Sequence, residues 1–105
     1  MIISEVNNQK YIMNFDYLEQ NLPVKGIVQS VKTTVCIISK IAGFEDKKPI
    51  VTEISCTGQT HCTKNNKFKK EEGRKRALKR ALIPSSFSKP ERTIFWNNYF
   101  NRLQK

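Results

Sequence analysis

With 105 residues, 38% of them hydrophobic and 10% aromatic, the chain has material for a single domain with a modest core, and it does not read as a disordered basic tail. It contains no run of about 18 apolar residues, which excludes a membrane-spanning helix. Nineteen Lys and Arg against nine Asp and Glu give a formal net charge of +10, a bias that calls for an anionic partner.

The opening MIISEVNNQK has neither a basic start nor a sustained apolar core, so no signal peptide is expected. Three cysteines, an odd number, fit a reduced cytoplasmic compartment. Met1–Val6 is apolar enough for a short strand. Lys10–Phe15 alternates Tyr11, Met13 and Phe15 in strand fashion, whereas Phe15–Leu22 is compatible with a helical turn ending before Pro23. Val24–Val31 is rich in Val and Ile but is interrupted by Gly26.

Thr33–Ile41 is dense in β-branched residues and is the strongest strand signal in the chain. Ala42–Lys48 has turn chemistry, and Pro49–Thr57 predicts a second strand with Ile50, Thr52, Ile54 and Cys56 on one face. Together they predict a hairpin over about 33–57 with a loop of roughly seven residues. A hairpin alone is marginal and needs a covering helix. Thr57–Thr63 reads as a polar loop leading to that helix, with Asn65 or Asn66 as its cap.

The helix is predicted over about 66–82 and stops before Pro84. Its neighbourhood, Lys64–Leu82, holds nine cations (Lys64, Lys67, Lys69, Lys70, Arg74, Lys75, Arg76, Lys79, Arg80) and only two acids, Glu71 and Glu72. At about 100° per residue, Phe68, Leu78, Ala81 and Leu82 share an apolar stripe, with Lys69, Glu72, Arg76, Lys79 and Arg80 opposite. Glu71 is expected near the apolar side, pairing with Lys67 and Lys75. Gly73, at the edge of the basic face, predicts a close approach either by the chain's own hairpin or by a partner's backbone. Such an imbalance is self-repelling unless an anion uses it. The candidate partner- and nucleic-acid-binding residues are therefore Lys69, Lys70, Arg74, Arg76, Lys79 and Arg80.

Ser88-Lys89-Pro90-Glu91 fits a capping box with proline in the first turn. The helix it opens, about 89–103, gathers Phe95, Trp96, Tyr99, Phe100 and Leu103 with Arg92 in one sector, and Asn97, Asn98 and Asn101 outside it. This aromatic stripe reads as core or as an oligomer contact rather than as a base-stacking platform. The expected class is α+β: an antiparallel sheet of three to four strands, packed by the basic helix and the C-terminal amphipathic helix.

Catalytic chemistry is not indicated. Cys36, Cys56, His61 and Cys62 would make a valid zinc set, but no pair has C-x2-C or C-x4-C spacing, and His61 and Cys62 are adjacent. They read as ordinary cysteines, and no metal or cofactor is expected. The carboxylates form no acid–base or two-metal spacing, and the four glycines form no phosphate loop.

The run K-F-K-K-E-E-G-R-K-R-A-L-K-R-A-L, following a hairpin whose second strand ends in a cysteine, resembles a family of small bacteriophage proteins. Those proteins pair a β-hairpin with a helix bearing a G-R-x-x-A-L-x-R-A-L signature. The resemblance covers about Thr33 to Leu82 and rests on Phe68, Gly73, Arg74, Ala77, Leu78, Arg80, Ala81 and Leu82. It departs at His61–Asn66, where Lys64 is the one correspondence. It implies a phage or prophage origin. By analogy with small phage accessory proteins, it implies a non-catalytic, anti-CRISPR-like inhibitor seated on a host nucleoprotein complex such as a Cas effector. The alternative is a stand-alone DNA- or RNA-binding accessory protein. Both use the same basic helix, and neither involves a membrane.

Overall fold

The computed structural model describes residues 2–63 and 70–101. Four strands come first, β1 (Ile2–Val6), β2 (Gln9–Val24), β3 (Ile27–Glu45) and β4 (Lys48–Thr63), followed by helices α1 (Lys70–Leu82) and α2 (Lys89–Asn101). The class is α+β, and the strands form one antiparallel sheet in the order β1-β2-β3-β4.

Each strand meets the next through a two-residue turn, at Asn7-Asn8, Lys25-Gly26 and Asp46-Lys47. All six turn residues have positive φ. That geometry matches the right-handed twist of the flanking strands, and Asn, Asp and Gly adopt it at least cost. These tight turns lengthen the sheet beyond its sequence signal. Ala42–Lys48 is not a seven-residue loop, because pairing continues to Glu45↔Lys48. Phe15–Leu22 is strand within β2 rather than a helical turn, paired residue for residue with β3. Pro23 is tolerated there because β1 covers only Gln9–Met13, so the rest of β2 is a sheet edge.

Thr57–Thr63 is likewise strand and not loop. Its polar residues meet polar partners across the pair, Thr60 opposite Thr34 and His61 opposite Thr33, with Thr33 Oγ1 and His61 Nδ1 2.8 Å apart. The alternation expected for Ile50, Thr52, Ile54 and Cys56 breaks at a register shift: Cys56 pairs with Ile38, but Ile54 pairs with Ser39. Ser55 is the extra residue of a bulge, and its insertion turns Ile54 and Cys56 to opposite faces. Cys56 joins the core while Ile54 stays exposed.

Both helices lie on one face of the sheet. Ala77, Leu78, Ala81 and Leu82 of α1 and Phe95 and Tyr99 of α2 are buried against Val6, Tyr11, Met13, Cys36 and Ile38. Tyr11 holds the corner, edge-on to Phe87 at 5.3 Å and to Phe95 at 5.7 Å. The expected start of α2 is present: the Ser88 amide donates to Glu91 Oε1 at 2.7 Å and the Glu91 amide to Ser88 Oγ at 3.4 Å. The Ser88 amide, with its hydroxyl, holds the Glu91 carboxyl below the usual carboxylate range. Asn98 does not face solvent as expected; its Nδ2 donates to Ser4 Oγ at 2.9 Å and ties α2 to β1. Among the described residues no helix is long and apolar enough to cross a membrane.

Candidate functional site

The basic helix divides its cations into two groups. Gly73, Ala77, Leu78, Ala81 and Leu82 are buried, so the packed side of α1 is centred on small residues and not on the leucine stripe alone. Arg74 and Glu71 fall inside or beside that sector and are half-buried. Lys75, Arg76, Lys79 and Arg80, with Glu72 as the one acid, face outward and are exposed.

Arg74, one of the predicted binding residues, is held within the protein. Its Nη1 donates to Tyr17 Oη at 2.9 Å and its Nη2 to Glu71 Oε2 at 2.5 Å. Burial works against its charge, but hydrogen bonds with Tyr17, Glu71 and Tyr99 outweigh this and shift its pKa upward. Glu71 also accepts from Tyr99 Oη at 2.9 Å. Of the two lysines expected to pair with Glu71, Lys67 lies outside the described residues; the Glu71 carboxylate also joins α1 to α2, because Tyr99 is fully buried and its hydroxyl needs an acceptor. Glu71→Ala should therefore cost about 1–2 kcal/mol in urea unfolding, since it removes an acceptor of the buried Tyr99 hydroxyl and the carboxylate beside the half-buried Arg74. An unchanged midpoint would mean that water replaces the carboxylate.

Lys70 lies with its Nζ 5.0 Å from the centre of the Tyr17 ring. Arg80 reaches back to β4, its Nη1 donating to the Gln59 carbonyl at 2.9 Å. Arg76 and Lys79 are the freest of the predicted set, and no carboxylate pairs with either among the described residues. Lys69 lies outside the described residues, as do Lys64, Lys67 and Phe68. Three further cations were not among the sequence candidates. Lys75 stands beside Phe100, Nζ to ring centre 5.7 Å. Lys89 and Arg92 of α2 meet Lys79 across a groove of about 350 Å³ between the helices, walled by Leu82, Ile83, Thr93 and Trp96. The groove has no signal in the sequence, because its two walls are separated by a turn whose path only packing fixes.

Gly73 is buried, but the close approach of α1 to the hairpin is found further along the helix, where Ala77 and Ala81 meet Gly58 of β4. A Cβ at Gly58 would lie 2.3 Å from Ala77 O and Ala81 N. An isolated glycine inside a strand is the sequence signal for such an approach.

The cysteine and histidine residues do not assemble. His61 and Cys62 are consecutive in β4 and so point to opposite faces of the sheet. Burial, followed by the nearby Cys56, pushes the Cys36 thiol up to about 12, and burial pushes Cys56 up to about 11. Burial thus disfavours the thiolate, the nucleophilic form, at both positions. Among the described residues no group of three or more His, Cys, Asp and Glu side chains is placed to hold a metal ion. Comparison of the chain with protein-family models, curated proteins and solved structures finds no match.

Proposed function

We propose that this chain is a non-catalytic nucleic-acid-binding protein that engages phosphates through the outward face of α1, continued by Lys89 and Arg92 of α2. One observation carries the reading: Lys75, Arg76, Lys79 and Arg80 share that face with Glu72 as its one acid, and none of them has a carboxylate partner among the described residues. Cations held on a rigid helix and left unneutralised suit a partner that supplies regularly spaced negative charge. Arg74 is a positioning residue in this reading, since its charge is already matched by Glu71.

Exchanging Arg76, Lys79 and Arg80 for Gln keeps helix propensity while removing three charges. The salt dependence of binding to a labelled oligonucleotide should lose about 0.7–0.9 in slope per contact, about 2–3 in all. Exchanging Lys25, Lys47 and Lys48 for Gln removes the same charge from the hairpin turns and should leave the slope nearly unchanged. Equal losses in both variants would reduce the effect to net charge and remove the helix as a site.

The resemblance to small phage proteins supports an extension in which the same face occupies the nucleic-acid channel of a host defence complex, as an anti-CRISPR-like inhibitor. Capture from host lysate with and without nuclease separates the two. A nuclease-resistant partner of discrete mass favours the inhibitor, and loss of every partner favours direct binding.

A further inference from the structure

The groove between the helices differs from the rest of the cationic surface in having an aromatic wall. Phe95 and Tyr99 of α2 are wholly buried in the core, but Trp96 is only half-buried and lines the groove. Its indole is held from behind, stacked on Phe100 at 5.7 Å with 23° between the planes, and edge-on to Tyr99 at 6.1 Å. The ring is thus fixed in orientation before any ligand arrives, which lowers the entropic cost of using it.

Leu82 and the exposed Ile83 complete an apolar wall, with Lys79, Lys89 and Arg92 around them. The one acid in the first turn of α2, Glu91, is committed to Ser88 and to the Asn7 side-chain amide. The Thr93 hydroxyl donates to the Lys89 carbonyl at 3.0 Å, so it does not compete for a ligand. Three cations around an apolar and aromatic cleft fit a ligand that is flat and apolar in one part and anionic in the next. A duplex presents phosphates outside and hides its base faces, whereas a single strand offers both together. A cleft of about 350 Å³ lies at the small end of ligand pockets, a scale for one nucleotide and not for a helix.

Resting on the reading of α1 as a phosphate-binding face, we infer that this groove takes one unpaired base of a single-stranded nucleic acid. The base packs on Trp96, and its flanking phosphates lie among Lys79, Lys89 and Arg92. Lys79 belongs both to the groove and to the outward face of α1, so the strand continues from the groove onto Arg76.

Trp96 is the one tryptophan in the chain, so its emission reports this contact without a label. The experiment titrates the full chain with a twelve-nucleotide oligothymidylate, a duplex of equal length, and heparin, a polyanion without bases. Anisotropy of the labelled oligonucleotide is followed in parallel. Oligothymidylate should quench Trp96 saturably, to about half its intensity or less, while duplex and heparin leave it nearly unchanged. Lys89→Gln with Arg92→Gln should weaken oligothymidylate binding about 10-fold, and Trp96→Leu should do so by about 10-fold with far-UV circular dichroism unchanged.

If oligothymidylate binds by anisotropy but leaves Trp96 emission unchanged, and the Lys89/Arg92 variant binds like the parent, the groove is not a base site while the α1 face stands. Equal quenching by heparin overturns base stacking in favour of simple anion binding. No binding of any nucleic acid at low salt overturns both readings.

Discussion

Gly58→Ala should lower stability by about 3 kcal/mol or more, read as a fall in the urea midpoint at constant slope. The added methyl would sit 2.3 Å from Ala77 O and Ala81 N and 2.7 Å from the Arg80 carbonyl carbon. All three are backbone atoms of α1, so no side chain can swing aside. The helix must lift from β4, and Ala77, Leu78, Ala81 and Leu82 lose packing together. Gly43→Ala is the matched control. It also lies in a strand, but a Cβ there meets nothing within 4 Å and its φ is not positive. It should be neutral or slightly stabilising, because alanine restricts the unfolded chain more than glycine does. Equal effects at both positions would show that strand propensity governs, and that α1 does not rest on Gly58.

The second large effect is expected at Leu78. Its side chain is fully buried in the core cluster that also holds Cys36 and Ile38 of the sheet and Phe95 and Tyr99 of α2. Leu78→Ala removes the transfer free energy of the lost carbons and leaves a cavity. The large side chains of that cluster are themselves packed on other rings, Phe95 on Tyr11 and Phe87, and Tyr99 on Phe15, which opposes their collapse into the space. The cost should be about 3 kcal/mol in chemical denaturation. Trp96 emission and far-UV circular dichroism should still unfold together, because sheet and helices share that one core. A change under about 0.5 kcal/mol would mean that the helices are not integral to the fold.

Local chemistry carried much of this architecture. Pro84 marks the end of α1, and the Ser88–Glu91 box marks the start of α2 to the residue. The β-branched run at Thr33–Ile41 lies inside β3, and the alternation of Tyr11, Met13 and Phe15 places those three on the helix-covered face. The concentration of charge on α1 was equally plain, and with it Arg76, Lys79 and Arg80 as outward cations. These features depend on residues within one turn or a few residues of each other, where propensity and side-chain spacing decide the outcome.

What the tertiary structure decided lies in the longer-range relations. Propensity marks where strands begin to be favourable but not how far pairing runs. Asp46-Lys47 and Lys25-Gly26 adopt tight twisted turns, so pairing extends into Thr57–Thr63 and Phe15–Leu22, segments that look like loop or helix alone. A bulge at Ser55 reverses a face that strict alternation assigns the other way. A helical wheel sets Arg74 beside the apolar sector and Arg80 opposite it, but only the fold shows what each meets: Tyr17 and Glu71 for the first, the Gln59 carbonyl for the second. The groove faced by Lys79, Lys89, Arg92 and Trp96 exists because Gly58 sets how closely α1 sits and Asn98 fixes α2 to β1. Charge and periodicity are properties of a segment and are written in its residues. A cleft between two helices is a property of their separation, which packing against a third element alone determines.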